Sequence, residues 1–294
     1  MNEISFNLLA TFYEFIFLMC EITVLFLLIN SVMTYVNNSF NINKYLSNNL
    51  TSYFKAIFIG ALTPFCSCST IPLFNSLLKN GINHGISFAY LLTSPLINPM
   101  IFTMLLAAFG LKITIFYVTF IVIFVFIVSF VLSFLAADLL LKDDFLLIKQ
   151  ESKCKCKAKL KFKECFYKAL LSYKKIFKYI FFGMLIGAFF HNFIPQDLLS
   201  NNLANLGIYG IFLASLFGIL LYVRTDLIIP LGISLMNAGF PLGVLFSFLI
   251  AGGGCSLPEL ILLKSMFKTR MMIIFILSVL AMANIFGILL YFFY

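Results

Sequence analysis

Residues 63–91 read "TPFCSCSTIPLFNSLLKNGINHGISFAYL". The first ten place two thiols, a run of hydroxyls and two prolines between helix-length apolar runs. Proline inside a helix removes a hydrogen bond and clashes with the preceding turn, so "TPFCSCSTIP" reads as an interruption. The segment from Ile71 to Leu91 recurs later in the chain. Shifted by 158 positions, residues 71–91 lie without a gap over "IPLGISLMNAGFPLGVLFSFL", residues 229–249, and nine of the 21 positions are identical. Leucine and phenylalanine matches carry little weight in such a composition. Pro72/Pro230, Gly81/Gly239 and Gly85/Gly243 at a single offset carry much more, and they indicate an internal duplication.

The rest of the chain gives that duplication its setting. Of 294 residues, 62% are hydrophobic and only 11% charged, with a mean hydropathy of +1.07. Ordinary soluble domains are about a quarter charged, and this chain has too little polar surface to be one. Runs close to the ~20 residues that cross a bilayer recur from end to end. The alternating segments of roughly ten residues that mark a membrane barrel are missing. The expected class is an all-α polytopic membrane protein. Its start, "MNEISFNLLATFYE", has no basic n-region and no small-residue cleavage site, and reads as mature chain rather than signal peptide.

Eight helical elements are expected. Four are uninterrupted, over roughly 8–36, 113–141, 170–194 and 271–293. Four carry breaks: 52–79 at "TPFCSCSTIP", 84–110 at "TSPLINP", 206–238 at "YVRTDLIIP" and 242–268 at "AGGGCSLPE". The order is long, broken, broken, long, and then the same again. This divides the chain into a first membrane repeat (1–141), a basic linker loop (142–168) and a second repeat (169–294).

Charge orients the halves. Between Lys142 and Lys178 lie 12 of the 20 basic residues, which marks that stretch as cytoplasmic and facing anionic headgroups rather than nucleic acid. If the first broken element of each half dips in and returns, each half crosses three times and the halves are inverted. Lys44, Lys55, Lys79, Lys264, Lys268 and Arg270 then fall inside and only Lys112 outside. Having all eight elements span moves Lys44, Lys55, Lys268 and Arg270 outside. The inverted arrangement is therefore expected, with both termini extracytoplasmic.

Irregular backbone at membrane depth is tolerated only against protein or a water-lined cavity. Discontinuous helices meeting near the midplane are how secondary transporters build substrate sites. Cys66 and Cys68 are the first candidates for such a site. Their soft sulfurs suit Cu(I), zinc or a trivalent metalloid, and an unwound loop lets two thiols spaced i, i+2 converge. Ser67 and Ser69 can satisfy backbone groups freed by the break, and Asn98 in "SPLINP" is aimed at the same chamber. Cys255, in the glycine-rich break, is a candidate third sulfur. At the 158 offset Cys66 falls opposite Arg224 and Cys68 opposite Asp226, so the backbone break is shared while its chemistry diverges. Arg224 and Asp226 either pair or separately hold helix ends. Asp226 or Glu259 is the candidate proton carrier, since intramembrane charges cost roughly 2.5–3.5 kcal/mol each and are seldom idle. Cys20 reads as a small hydrophobe. His84 and His191 read as residues near helix ends. Cys154, Cys156 and Cys165 lie in the basic loop without partners at metal-ligand spacing. Seven cysteines so distributed do not make a disulfide scaffold.

The "TPFCSCSTIP" break, followed by "SPLINP" and by a second half with Arg and Asp before a Pro, resembles the predicted-permease family that includes the ArsP organoarsenical exporters. The resemblance covers most of the chain and is most specific in "PFCSCS". It implies a multi-pass permease of the bacterial or archaeal inner membrane. It further implies export of trivalent organoarsenicals by exchange with protons, with membrane lipid and a metalloid substrate as partners and no cofactor or enzymatic activity. The rival reading is a membrane thiol–disulfide oxidoreductase that passes electrons from cytosolic thioredoxin, its thiol pair cycling through a disulfide. Against it, a CxC disulfide closes a tight, strained ring. No phosphate-binding Gly-x-x-x-x-Gly-Lys loop is present for ATP-driven transport.

Overall fold

The computed structural model describes residues 49–62, 81–135, 207–220, 241–264 and 267–293, with isolated helical positions within 13–31, 70–78 and 166–181. Among the described residues the elements are α-helices: α1 (Leu50–Leu62), α2 (His84–Leu96), α3 (Pro99–Leu132), α4 (Ile208–Leu220), α5 (Leu242–Gly254), α6 (Leu257–Lys264) and α7 (Thr269–Phe293). Among the described residues three segments are long and apolar enough to cross a membrane: Pro99–Leu132, Leu242–Ile261 and Thr269–Phe293. Along α3 the buried stripe is Ile113, Tyr117, Ile121 and Val125, while the outward positions Ile115, Ile123, Ile127 and Val131 are equally apolar. A helix greasy on every side belongs in lipid or in a protein core.

α2 and α5 are 13 residues each. At 1.5 Å per residue each spans about 20 Å, short of the ~30 Å hydrocarbon core. α2 is buried from Gly85 to Leu96 without exception, and α5 is nearly so. These two are the centre of the molecule. α1 and α3 pack on α2, and α4 and α7 pack on α5.

The helix limits repeat at the offset read from the sequence. His84–Leu96 and Leu242–Gly254 are 158 positions apart at both ends, as are the starts Leu50 and Ile208, and the starts Pro99 and Leu257. The close approaches repeat as well. A Cβ on Gly85 would sit 2.6 Å from the Ser129 carbonyl oxygen, and one on Gly243 would collide with the carbonyl of Gly287, 158 residues further along on both sides. Likewise Gly60 lies against Tyr90 and Thr93, and Gly218 against the matching Phe248 and Ala251. Small residues let helix backbones touch where lipid offers no hydrophobic drive to associate.

Contacts between the two sets exchange partners, as across a two-fold axis. Tyr117 packs on Phe246 and Phe275 packs on Phe88. Phe15 packs on Phe181, while Thr23 shares a hydrogen bond with Tyr173. In this last pair the partner number falls from 181 to 173 as the other rises from 15 to 23, so these two helical stretches run in opposite directions. Phe116 meets both Phe286 and Phe293, which sets the middle of α3 beside the end of α7.

Three expectations from the sequence meet the coordinates here. The expected gap between elements ending at 110 and starting at 113 falls on Gly110, whose φ of 78° and ψ of 174° interrupt the helical backbone of α3. Only glycine adopts that backbone cheaply, and both Phe109 and Tyr117, on either side of it, touch Phe246. The described helix of α3 ends at Leu132, where Ser133 Oγ donates back to the Phe130 carbonyl and Ser133–Leu135 turn, and the remainder of the run expected to reach 141 lies outside the described residues. His84 is not merely an interfacial residue, since its Nε2 lies 3.0 Å from the Leu132 carbonyl and ties the start of α2 to the end of α3.

Gly243→Ala should overpack α5 against α7 and lower stability by about 1–3 kcal/mol. Gly60→Ala, whose nearest neighbour would be the Thr93 Cβ at 3.1 Å, should lower it less. Thermal midpoints of the purified proteins in one detergent check the order.

Candidate functional site

α2 and α5 end inside the molecule, and their ends meet each other. A Cβ on Gly254, the last residue of α5, would lie 3.1 Å from Leu96 Cδ2 and 3.2 Å from Val279 Cγ1. Leu96 is the last residue of α2 and the 158-offset counterpart of Gly254, so like meets like at the centre. Immediately beyond stand the two interruptions, Ile97–Asn98 between α2 and α3, and Cys255–Ser256 between α5 and α6. Ile97 and Cys255 are both extended (φ −122°, ψ 101° and φ −154°, ψ 88°) and close each helix by donating their N–H to the carbonyls of Thr93 and Ala251.

The breaks are held by main-chain satisfaction. Asn98 is extended and its Oδ1 accepts from the Ile101 N–H at 2.7 Å, an N-cap for α3 with Pro99 at its first position, the two features that most favour a helix start. That cap uses the amide oxygen and leaves the NH₂ donors of the same side chain. The Leu96 carbonyl, one of the groups every helix C-terminus leaves without an intrahelical partner, accepts from the Tyr117 hydroxyl at 3.1 Å. The counterpart of Tyr117 is Phe275, and that of Asn98 is Ser256, so the two breaks share a backbone but not a polar set.

The second break is the chemically richer of the two. Cys255 is fully buried with a free thiol. Ser256 is buried beside it, and Glu259 is fully buried one turn on. Glu259 lies in the first turn of α6, where the exposed N–H groups and helix dipole favour a carboxylate. The corresponding residue of the first half is Ile101, also buried.

Cys66, Ser67, Cys68, Ser69, Arg224 and Asp226 lie outside the described residues, as do Glu21, His191 and the three loop cysteines. The arm beyond Cys68 is described at several positions. Thr70 is helical and fully buried, and Phe74 packs edge-on against Phe267, just past α6. The first broken element thus touches the second half at Phe267, three residues past the end of α6. Cys20 is exposed. Among the described residues no group of three or more His, Cys, Asp or Glu side chains could hold a metal ion.

Sequence reasoning passed over Tyr117 and Ser256. The signal for Tyr117 was the one tyrosine among the phenylalanines of "ITIFYVTFIVIF", and for Ser256 its place at the 158 offset from Asn98.

Helices with interrupted centres, apolar on their outer faces, and buried polar breaks meeting at the core define a multi-pass membrane protein built like a transporter. The chain belongs to the predicted-permease family ArsP_1, whose model matches residues 5–292. Membership makes it a permease, a membrane protein that moves a small-molecule substrate. No curated protein and no solved structure matches it.

Tyr117→Phe keeps the ring packing on Phe246 and Phe286 and strips the donor from the Leu96 carbonyl. It should destabilise the protein by about 1–3 kcal/mol, the penalty of leaving a buried acceptor unmade. The shift in thermal midpoint measures it, with Tyr53→Phe as a control for loss of a tyrosine hydroxyl elsewhere.

Proposed function

We propose that the chain is a secondary-transport permease of the cytoplasmic membrane. It exports a thiophilic trivalent metalloid species of the organoarsenical type, in exchange for protons, through a site where broken helices meet. One observation carries the reading: the ends of α2 and α5 converge at Leu96 and Gly254, with Cys255 and Glu259 buried at the same break. A thiol and a carboxylate enclosed there are a ligand and a proton carrier on one short segment.

In this reading Cys66 and Cys68 supply the primary thiol pair, with Ser67, Ser69 and Asn98 lining the chamber and Cys255 in reach as a third sulfur. A monosubstituted trivalent arsenical carries two hydroxyls. Two thiols displace them, two As–S bonds replace two As–O bonds, and two waters leave. Hydrolysis in the opposite sense restores the thiols and frees the substrate. Glu259 or Asp226 carries the exchanged proton, with Arg224 biasing its neighbour toward the charged form.

The halves are proposed to be inverted repeats, the first broken element of each dipping in and returning. The common 158 offset of helix limits, the exchanged ring partners, and the opposed runs of 15–23 and 173–181 support this. Each half then crosses an odd number of times, and the basic 142–178 stretch faces the cytoplasm. Alkaline phosphatase fused after Tyr294 should be active outside the cell and a fluorescent protein fused there dark. The reverse pattern would overturn the inverted topology.

Cells and everted vesicles test the chemistry. Cys66→Ser with Cys68→Ser should abolish resistance to a trivalent phenylarsenical and reduce its vesicle uptake to background. Cys255→Ser should spare that substrate and reduce transport of antimonite, which takes three sulfurs. Undiminished uptake in the double variant would sink the thiol site. A trapped mixed disulfide with thioredoxin would move the assignment to an oxidoreductase.

A further inference from the structure

α2 carries a polar stripe that the packing of the fold does not call for. At 3.6 residues per turn, His84, Ser87, Tyr90 and Ser94 fall within about a third of the helix circumference, and Asn98 follows four residues on, at the break. Ser87, Tyr90 and Ser94 are buried and His84 is half-buried. α5 serves as an internal control. It has the same length and is nearly as enclosed, yet its corresponding residues are Leu242, Leu245, Phe248, Gly252 and Ser256. A buried helix at this place in the fold needs no such hydroxyls. Nor do they serve the contact with α3, which α2 meets through Gly85 at Ser129. Ser87 and Ser94 lie on the opposite side of the helix.

The stripe begins at the basic end of the molecule. His84 Nε2 lies 3.0 Å from the Leu132 carbonyl, and past Leu132 the chain runs on to the basic 142–178 stretch. α7 runs beside α2 in the same sense, since Phe275 meets Phe88 while Val279 and Leu96 both lie at Gly254. Lys264, Lys268 and Arg270, between α6 and the first turn of α7, therefore precede Phe275 toward the His84 end. Lys55 of α1 stands there too, beside Tyr53, which packs on Phe126 and Phe130 near the end of α3. The described charged groups at this end are thus basic, and Tyr53 adds a phenol. By the positive-inside rule this end faces the cytoplasm.

We infer that the stripe is the cytoplasmic arm of the proton path, leading from the meeting breaks along Ser94, Tyr90 and Ser87 to His84. The inference rests on the proton-exchange reading above and adds its route and its last residue. Ser94 and Ser87 are about 10.5 Å apart along the axis, a span that protons cross through hydroxyls and water. The hydrogen bond of His84 assigns its nitrogens. A carbonyl only accepts, so Nε2 carries a hydrogen and Nδ1 is the nitrogen that takes the travelling proton. The carboxylic acid at the break loses its proton, an N–H bond forms at Nδ1, and the imidazolium then releases that proton to cytosolic water. Histidine suits this last step because its ordinary titration range lies near neutral pH.

Everted vesicles with an acid lumen, supplied with a trivalent phenylarsenical, separate the path from the cargo site. Two rates are read. One is uptake driven by the pH gradient. The other is exchange of labelled for unlabelled arsenical without a gradient, which needs no net proton movement. His84→Gln keeps a donor for the Leu132 carbonyl but takes up no proton. It should drop driven uptake to the rate without a gradient and leave exchange at the wild-type rate. Ser87→Ala with Ser94→Ala should slow driven uptake severalfold, again sparing exchange. Thr93→Val removes a hydroxyl off the stripe, bonded to the Ala89 carbonyl, and should change neither rate. Undiminished driven uptake in His84→Gln, or equal loss of both rates in His84→Gln and the serine variant, would overturn the path. Wild-type vesicles that exchange the arsenical but ignore the gradient would instead remove proton exchange itself, and the path with it.

Discussion

Backbone that leaves the helical path inside a bilayer has no solvent to turn to, and this constraint governs the arrangement of the whole molecule. Each free N–H or C=O must find a partner within the protein. At the first break the Leu96 carbonyl takes the Tyr117 hydroxyl, and the Ile101 N–H takes the Asn98 side chain. The second break is enclosed because α2 and α5 are the buried centre, with the longer helices α3 and α7 packed beside them, while at the first Ile97 is buried and Asn98 half-buried. Thirteen-residue helices could not stand alone in a membrane. They are stable here because protein, not lipid, surrounds their ends.

The same enclosure explains how two halves of shared backbone came to differ in chemistry. Glycine approaches that let helices touch are kept at both places, Gly60 with Gly218 and Gly85 with Gly243. They fix the distance between helices, and nearly any side chain there would separate them. Positions at the breaks are under no such demand. Ile97 and Cys255, Asn98 and Ser256, Ile101 and Glu259, and Tyr117 and Phe275 occupy equivalent sites with unrelated functional groups. A permease site with a thiol and a carboxylate on one side can arise this way without disturbing the packing that holds the breaks together.

Of the candidate site, the sequence marked Cys255, Asn98 and Glu259 because each interrupts an apolar run with a group that lipid would penalise. It did not mark Asn98 as a helix cap. That role depends on the backbone of the next three residues, whereas the sequence pattern shows only a polar residue before proline. Nor did it mark Tyr117, since a tyrosine in an aromatic-rich helix has no local signature of the distant carbonyl it will meet. His84 was legible as a residue at a helix start, while its partner, the Leu132 carbonyl, lies 48 residues away.

What the sequence determined by itself was whatever hydrophobicity, proline, glycine and periodicity encode locally. That includes the all-helical membrane class, the positions of the breaks in α2–α3 and α5–α6, the turn at Gly110 and the 158-residue repeat. Tertiary structure alone decided that Leu96 and Gly254 touch, that ring partners are exchanged between the halves, and that Cys255 and Glu259 are enclosed where the interrupted helices converge. The reason is physical. Local composition sets where a chain can stop being a helix in lipid, but the partner that satisfies the opened backbone comes from another helix, and only packing brings it there.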